Sequence, residues 1–296
     1  MTARITALVS ASAAILALGG LTSLAPSAAS AQFSIGVSVN LGPPPIPYFP
    51  QPPIPAYGYI WTPGYWAWDP AYGYYWVPGE WIRPPRIGFL WTPGYWAWRD
   101  NGYRFIGGYW GPTVGFYGGV NYGYGYGGYG YEGGGWRGDR FYYNRSVTNI
   151  ANARIATVYN QPVRPFTASR VSYNGGRGGL TVRPRPNQLA AMRGPHIQPT
   201  ATQVQRVHMA AANPQLRAPA VVSGRASAAV TQIHQRDRAQ AITGNPGLRN
   251  GVAPRDQATG LATGRRQYRP ATPNRTPAGG PLPGAGQGGA PRTADL

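Results

Sequence analysis

Apolar and polar positions change their rhythm along the chain. From Phe33 to Val39 the apolar residues Phe33, Ile35, Val37 and Val39 alternate with small polar ones, the two-residue period of one short strand. Between Tyr59 and Trp110 aromatic residues dominate and one phrase is written four times: Trp61-Thr-Pro-Gly-Tyr-Trp66, Trp76-Val-Pro-Gly-Glu-Trp81, Trp91-Thr-Pro-Gly-Tyr-Trp96, and a worn copy, Phe105-Ile-Gly-Gly-Tyr-Trp110. Turn chemistry separates the copies, at Asp69-Pro70-Ala71-Tyr72-Gly73, Arg83-Pro84-Pro85-Arg86 and Asp100-Asn101-Gly102. After Pro186 the rhythm becomes helical. Asn187–Arg193 predicts a short helix. Thr200–Ala212 predicts a second, with Thr200 or Thr202 as N-cap and Val204, Val207 and Ala211 on one face. Ser227–Ile242 predicts a third, carrying Val230, Ile233 and Ile242 and ended by Gly244 and Pro246.

Phrases starting at 61, 76, 91 and 105 are spaced by 15, 15 and 14 residues, and such self-similarity fixes architecture before any single residue is read. The expected fold is mainly β and small: a four-stranded antiparallel meander of ~15-residue units. Facing residues of an antiparallel pair have a constant index sum. Sums of 142, 172 and 201 for the three successive hairpins align the rows Trp61/Trp81/Trp91/Trp110, Trp66/Trp76/Trp96/Phe105 and Trp68/Tyr74/Trp98/Tyr103. They also lay the four Pro-Gly or Gly-Gly steps side by side. Trp61 and Trp66 are five apart and would face opposite ways on a regular strand. A bulge at each Pro-Gly would reset the parity, accommodate the proline, and turn all rows to one face.

The flanks read as loosely ordered. Gly 43 and Pro 32 together make about a quarter of the 296 residues, near the level of low-complexity chain. Residues 32–56 form a Pro-rich linker with eight prolines between Pro43 and Pro55, expected as a polyproline II spacer. The repeat sheet spans 57–112. Residues 113–138 are low-complexity, with 11 Gly and 6 Tyr between Gly115 and Gly135, expected as a flexible, sticky linker that folds back over the Trp face. Residues 139–183 hold candidate extra strands and a Gly-rich loop, 184–244 short Arg-rich helices, and 245–296 a disordered basic tail.

Residues 1–31 carry Arg4, an apolar stretch from Ile5 to Leu21 and a small-x-small site at Ala29-Ser30-Ala31, which predicts a secretory signal peptide. No later stretch approaches the ~20 apolar residues of a membrane helix. The chain has no Cys, which excludes disulfides and thiolate metal sites. The net charge is +19; every cation is Arg, and 21 of them lie from Arg140 onward against Asp237, Asp256 and Asp295. Such a basic tail attracts polyanions.

Catalytic chemistry is not legible. The eight acids are scattered, and Asp69 and Asp100 open turns. Glu80 stands where Tyr65 and Tyr95 stand in the sister copies, and is expected as a solvated strand residue rather than an acid catalyst. His196, His208 and His234 show no metal-ligand spacing, so no cofactor or metal is expected. An enzyme is not expected. The candidate ligand-binding residues are Trp61, Trp66, Trp76, Trp81, Trp91, Trp96 and Trp110. Their rings either form the core or, where exposed, stack on sugars, bases or apolar patches.

The Trp-x-Pro-Gly-x-Trp units, preceded by Tyr59-Ile-Trp61, Tyr74-Tyr-Trp76 and Phe89-Leu-Trp91, resemble the YXWGXW repeat proteins of Gram-negative bacteria, a group related to the WXXGXW-repeat proteins of bacterial surfaces. The stretch Val171–Leu180 resembles the usual downstream part of such chains. The resemblance implies an exported, envelope-associated protein of the periplasm or outer surface and no enzymatic activity. Anionic envelope polymers or glycans are the expected partners, with carbohydrate binding as the alternative role and nucleic acid disfavoured by the leader.

Overall fold

The computed structural model describes residues 38–151, 155–163 and 170–243. The predicted leader, all but the end of the first alternating strand, and the basic tail lie outside these residues. In chain order the elements begin with β1 (Ser38–Val39), followed by the proline-rich segment and the repeat strands β2 (Ile60–Thr62), β3 (Tyr65–Asp69), β4 (Gly73–Val77) and β5 (Glu80–Ile82). The second half of the repeat gives β6 (Leu90–Thr92), β7 (Tyr95–Arg99), β8 (Gly102–Ile106) and β9 (Tyr109–Gly111). Then come β10 (Asn121–Gly123), β11 (Tyr126–Gly127), β12 (Gly134–Arg137), β13 (Arg140–Asn144), β14 (Val158–Tyr159) and β15 (Tyr173–Asn174). The helices are α1 (Pro186–Arg193), α2 (Ala201–Ala211), α3 (Ala218–Val222) and α4 (Ser227–Thr243), with a 3₁₀ turn at Pro214–Leu216 before α3.

Each pair of phrases closes into one kinked hairpin. β3 pairs with β4 and β2 with β5, placing Trp66 against Trp76 and Trp61 against Trp81. β7 pairs with β8 and β6 with β9, placing Trp96 against Phe105 and Trp91 against Trp110. These are the registers with index sums 142 and 201. The middle register, 172, does not form, so the repeat is two separate hairpins rather than a four-stranded meander. The competing edges are already taken. β4 meets α2 and α3, with Tyr75 bridged to Arg217, while the free edge of β7 is paired in parallel by β15.

The Pro-Gly steps are not one-sided bulges. Thr62 faces Glu80 and Tyr65 faces Val77 in the same register, so Pro63-Gly64 and Pro78-Gly79 break both strands together and no residue is added. The aromatic rings still share a face. Trp61 and Trp76 wall one cavity with Gly64 and Gly79, and Trp76 lies 5.3 Å from its partner Trp66. The glycines are required by close approach. A Cβ on Gly64 would meet the Trp76 ring at 2.5 Å, one on Gly79 the Trp61 ring at 2.5 Å, and one on Gly94 the Phe105 ring at 2.6 Å; Gly108 is covered by Trp91 in the same way. Each indole lies across the partner strand's kink.

Two expected linkers are parts of the core. The proline-rich segment lies as a strap whose unpaired carbonyls accept from the sheet: Trp66 Nε1 donates to Pro45 O at 3.2 Å, Trp81 Nε1 to Pro52 O at 2.9 Å, and the Tyr74 hydroxyl to Leu41 O at 2.7 Å. An extended proline segment has no internal hydrogen bonds, so its carbonyls are free for this. The Gly/Tyr stretch is likewise packed, with Tyr117, Val120 and Tyr126 fully buried. Its tyrosines reach hairpin backbone: Tyr122 donates to Gly94 O at 2.7 Å, and the Tyr126 hydroxyl is shared between Trp61 O at 3.3 Å and Trp91 O at 3.1 Å. Those two carbonyls occupy the same position in the two hairpins. The glycines supply turns, Gly118, Gly119 and Gly125 having positive φ.

Of the extra strands expected in 139–183, β13 joins β12 and β14 in a separate sheet, while β15 extends the second hairpin. The three predicted helices are present, and Thr200 caps α2 reciprocally with Gln203, as its sequence position indicates.

Candidate functional site

The seven tryptophans proposed as ligand-binding residues are mostly core. Trp61, Trp66, Trp76, Trp91, Trp96 and Trp110 are buried and Trp81 is half-buried, so they do not present the exposed stacking rows that glycan binding by this face would use. The strap, the Gly/Tyr stretch and the helices cover them. Indole N–H groups are satisfied by this cover: Trp96 Nε1 donates to Trp66 O of the other hairpin at 2.8 Å, and Trp110 Nε1 to Gln203 Oε1 of α2 at 2.9 Å. Trp61 Nε1 is buried without a partner among the described residues.

The kinks leave space above them. Over the first hairpin a cavity of about 330 Å³ is walled by Trp61, Gly64, Trp76 and Gly79. Over the second, a cavity of about 300 Å³ is walled by the equivalent Trp91, Gly94, Phe105 and Gly108. The repeat therefore builds the same concave seat twice. Their closures differ. The first is closed by the strap, Tyr122, Tyr124, Arg170 and His234; the second by Tyr109, His196, Gln203 and the back of the first hairpin, including Tyr65 and Glu80.

Glu80 is the main departure from expectation. It is 5% exposed and not solvated. Its Oε2 accepts from Nε and Nη2 of Arg206, each at 3.3 Å, and the same Nη2 lies 2.5 Å from Asp237 Oδ1. Arg206, on α2, is 4% exposed, and Asp237 comes from α4. Two carboxylates thus share one guanidinium, which sits closer to Asp237. Burial pushes the Glu80 carboxyl up to about 7 against the opposing pull of Arg206, and Asp237 raises it further. His234 completes the cluster, its Nε2 at 3.0 Å from Gly79 O; burial lowers its pKa. Glu80, an acid where the other three phrases have Tyr, was a usable signal in the sequence. Nothing local pointed to Arg206 or Asp237, which are more than a hundred residues away.

Several phenols are held neutral. Burial raises Tyr65, Tyr122 and Tyr143 well above the usual phenol range, and Tyr143 donates to Tyr59 O at 2.9 Å while accepting from Gly58 N at 2.8 Å. Among the described residues no group of His, Asp and Glu has a metal-binding arrangement. His196 stacks on Tyr109, His234 belongs to the charged cluster, and they do not converge.

On the surface, arginines outnumber acids. Among the described residues only Arg104 and Arg206 form ion pairs. Arg83, Arg86, Arg137, Arg185 and Arg217 lie over the rings of Tyr59, Phe89, Tyr142, Tyr129 and Tyr72, at 3.6–5.5 Å from the ring centres.

No curated protein and no solved structure matches the chain. The family model described as the WXXGXW repeat matches twice, at residues 57–81 and 86–110. Each match covers one kinked hairpin to within a residue of its end, which makes the hairpin, with its two phrases around a Pro-Gly or Gly-Gly step, the structural unit of the repeat. The chain contains two copies of the WXXGXW repeat.

Proposed function

We propose that this is an exported, non-catalytic structural or interaction protein of a bacterial envelope, in which the repeat hairpins are the folded scaffold and arginines are the contact with anionic polymers. Its leader-like first 31 residues and its +19 charge support this. The observation that carries it is the surface: the aromatic rows are spent internally, while arginines without carboxylate partners lie over rings. A guanidinium held this way loses little further rotamer freedom on binding, and its N–H fork matches phosphate and carboxylate oxygens. The Arg-rich tail acts as an electrostatic tether through its charge. Glycan recognition by open tryptophan rows has no such support, because those rows are covered.

The test is fractionation of cells carrying an epitope-tagged chain, followed by salt elution from isolated envelopes. The expected outcome is an envelope-associated protein released progressively as salt screens its charges. Replacing Arg83, Arg86, Arg137 and Arg185 together with Gln should shift release to lower salt. A cytoplasmic location, or release by detergent alone, would overturn the proposal.

A further inference from the structure

We propose that the cavity over the second hairpin is a binding site for a small organic ammonium ion bearing an aromatic or short alkyl group. This goes beyond the envelope role and does not depend on it.

At about 300 Å³ the cavity lies at the small end of ligand pockets. The repeat itself generates it, since the same four positions wall a cavity in each hairpin. Its sides are aromatic: Trp91 and Phe105 from the second hairpin, Tyr109 beside them, and Tyr65 from the first, stacked on Phe105 at 5.3 Å. Ring faces attract cations, more strongly where water is excluded.

Charge then selects the ligand. Glu80 lines this cavity, whereas its partner Arg206 does not. A single guanidinium, Arg206, is shared between the two carboxyl groups of Glu80 and Asp237. A cation placed against Glu80 from the cavity side would supply a second counter-charge. The first cavity is the internal contrast. In place of the carboxylate it presents Arg170 and the unpartnered indole N–H of Trp61, both unfavourable to a cation.

The groups facing Glu80 are Arg206 on α2, Asp237 and His234 on α4, Tyr65 on its own hairpin, and His196 across the cavity; Arg238 shares a small outer cleft with Glu80 and Asp237. Since burial holds the Glu80 proton to about pH 7, ammonium binding should weaken as the solution is acidified.

The experiment titrates the full chain with benzylammonium, benzyl alcohol and benzoate, read by calorimetry and tryptophan fluorescence at about pH 8 and about pH 5.5. Benzylammonium should bind at about pH 8 at least about tenfold more tightly than either isostere, the advantage shrinking at the lower pH. Glu80→Gln should erase the advantage. Met192→Trp, at an exposed position on the cavity's rim, should weaken binding while leaving the thermal transition in place. Equal affinity for benzyl alcohol, pH-independent ammonium binding, binding unaffected by Met192→Trp, or no binding at millimolar concentration would each overturn the proposal. Should Glu80→Gln fail to fold, the isostere, pH and Met192→Trp comparisons still decide it.

Discussion

The two hairpins are nearly the same sentence in different surroundings. Both set a tryptophan pair outside the kink and an aromatic pair inside it, and both lay a ring over each kink glycine. They part at the positions that look outward. Trp81 sends its indole N–H to the strap at Pro52, while Trp110, in the same place, sends it to Gln203 of α2. Where the second hairpin has Tyr109 before that tryptophan, the first has Glu80, held by α2 and α4. The invariant letters specify the kinked hairpin; the variable ones specify what may cover it. A repeat can thus be used twice in one core without the two copies competing for the same partner.

The largest test of that division is the outer tryptophan pair. Trp110 is fully buried and bridged to Ile197 through its backbone, whereas Trp81 keeps part of its surface in water. Trp110→Ala should cost about 3–5 kcal/mol, the range for emptying a large buried site, and Trp81→Ala distinctly less. Urea midpoints of the two variants measure the gap. Equal losses would mean that the covers contribute nothing to the difference.

The kink glycines come next, and here the hairpins should agree. Gly64→Ala and Gly94→Ala each drive a methyl into a ring and into partner-strand backbone at 2.7–2.9 Å, an overpacking cost of about 1–3 kcal/mol. Pairing the first with Trp76→Leu and the second with Phe105→Leu should recover part of the loss. If alanine is tolerated at either position, close approach of ring and partner backbone is not the reason for the glycine.

Glu80 distinguishes the hairpins by pH. Its folded-state pKa is raised, so the stability linked to its proton is fully present below the ordinary carboxyl value of 4.5 and is lost as pH rises to about 7. His234 runs the opposite way: its pKa is lowered, so its contribution is present above the usual imidazole value and lost as pH falls. The difference in unfolding free energy between the wild type and Glu80→Gln should therefore change across about pH 4.5–7, with the wild type losing ground as pH rises. Parallel curves would show that the cluster does not titrate in this window.

Why one register was misleading follows from the repeat itself. Because all four phrases match, any two neighbours align their tryptophans and their Pro-Gly steps, whether or not the strands pair. Index sums thus gave the correct alignment for 142 and 201 and an equally good alignment for 172, which does not form. What decides between them is long-range: Tyr173-Asn174 on β7, and α2 and α3 against β4. Helix α2 was legible because Thr200, Gln203, Val204 and Val207 carry both cap and face locally. The packing of Tyr117, Tyr122 and Tyr126 was not, since glycine-rich composition reports the entropy cost of ordering a segment and not the aromatic surface offered to it. Glu80 could be singled out as the odd letter, but a lone acid defaults to water until a buried partner is known, and Arg206 is distant in sequence.

The smallest difference lies at the hairpin tips, and it accounts for the 14-residue step. In the first hairpin Asp69 faces Gly73 around three residues, with Asp69 Oδ1 accepting from Ala71 N at 2.8 Å and Tyr72 N at 3.2 Å, and Gly73 at φ 79°. In the second, Arg99 faces Gly102 around only two, Asp100 at φ 49° and Asn101 at φ 60°, the left-handed pair that a two-residue hairpin turn needs. Asn tolerates that region and Ala does not, so Asn101→Ala should cost about 1–2 kcal/mol and Asn101→Gly should be close to neutral. Ala71→Gly in the longer loop should change little by comparison, since no positive φ is demanded there. Thermal melting of the three variants orders them; an Asn101→Ala protein as stable as Asn101→Gly would mean that the second tip does not hold the left-handed pair, and that the shortened step has another origin.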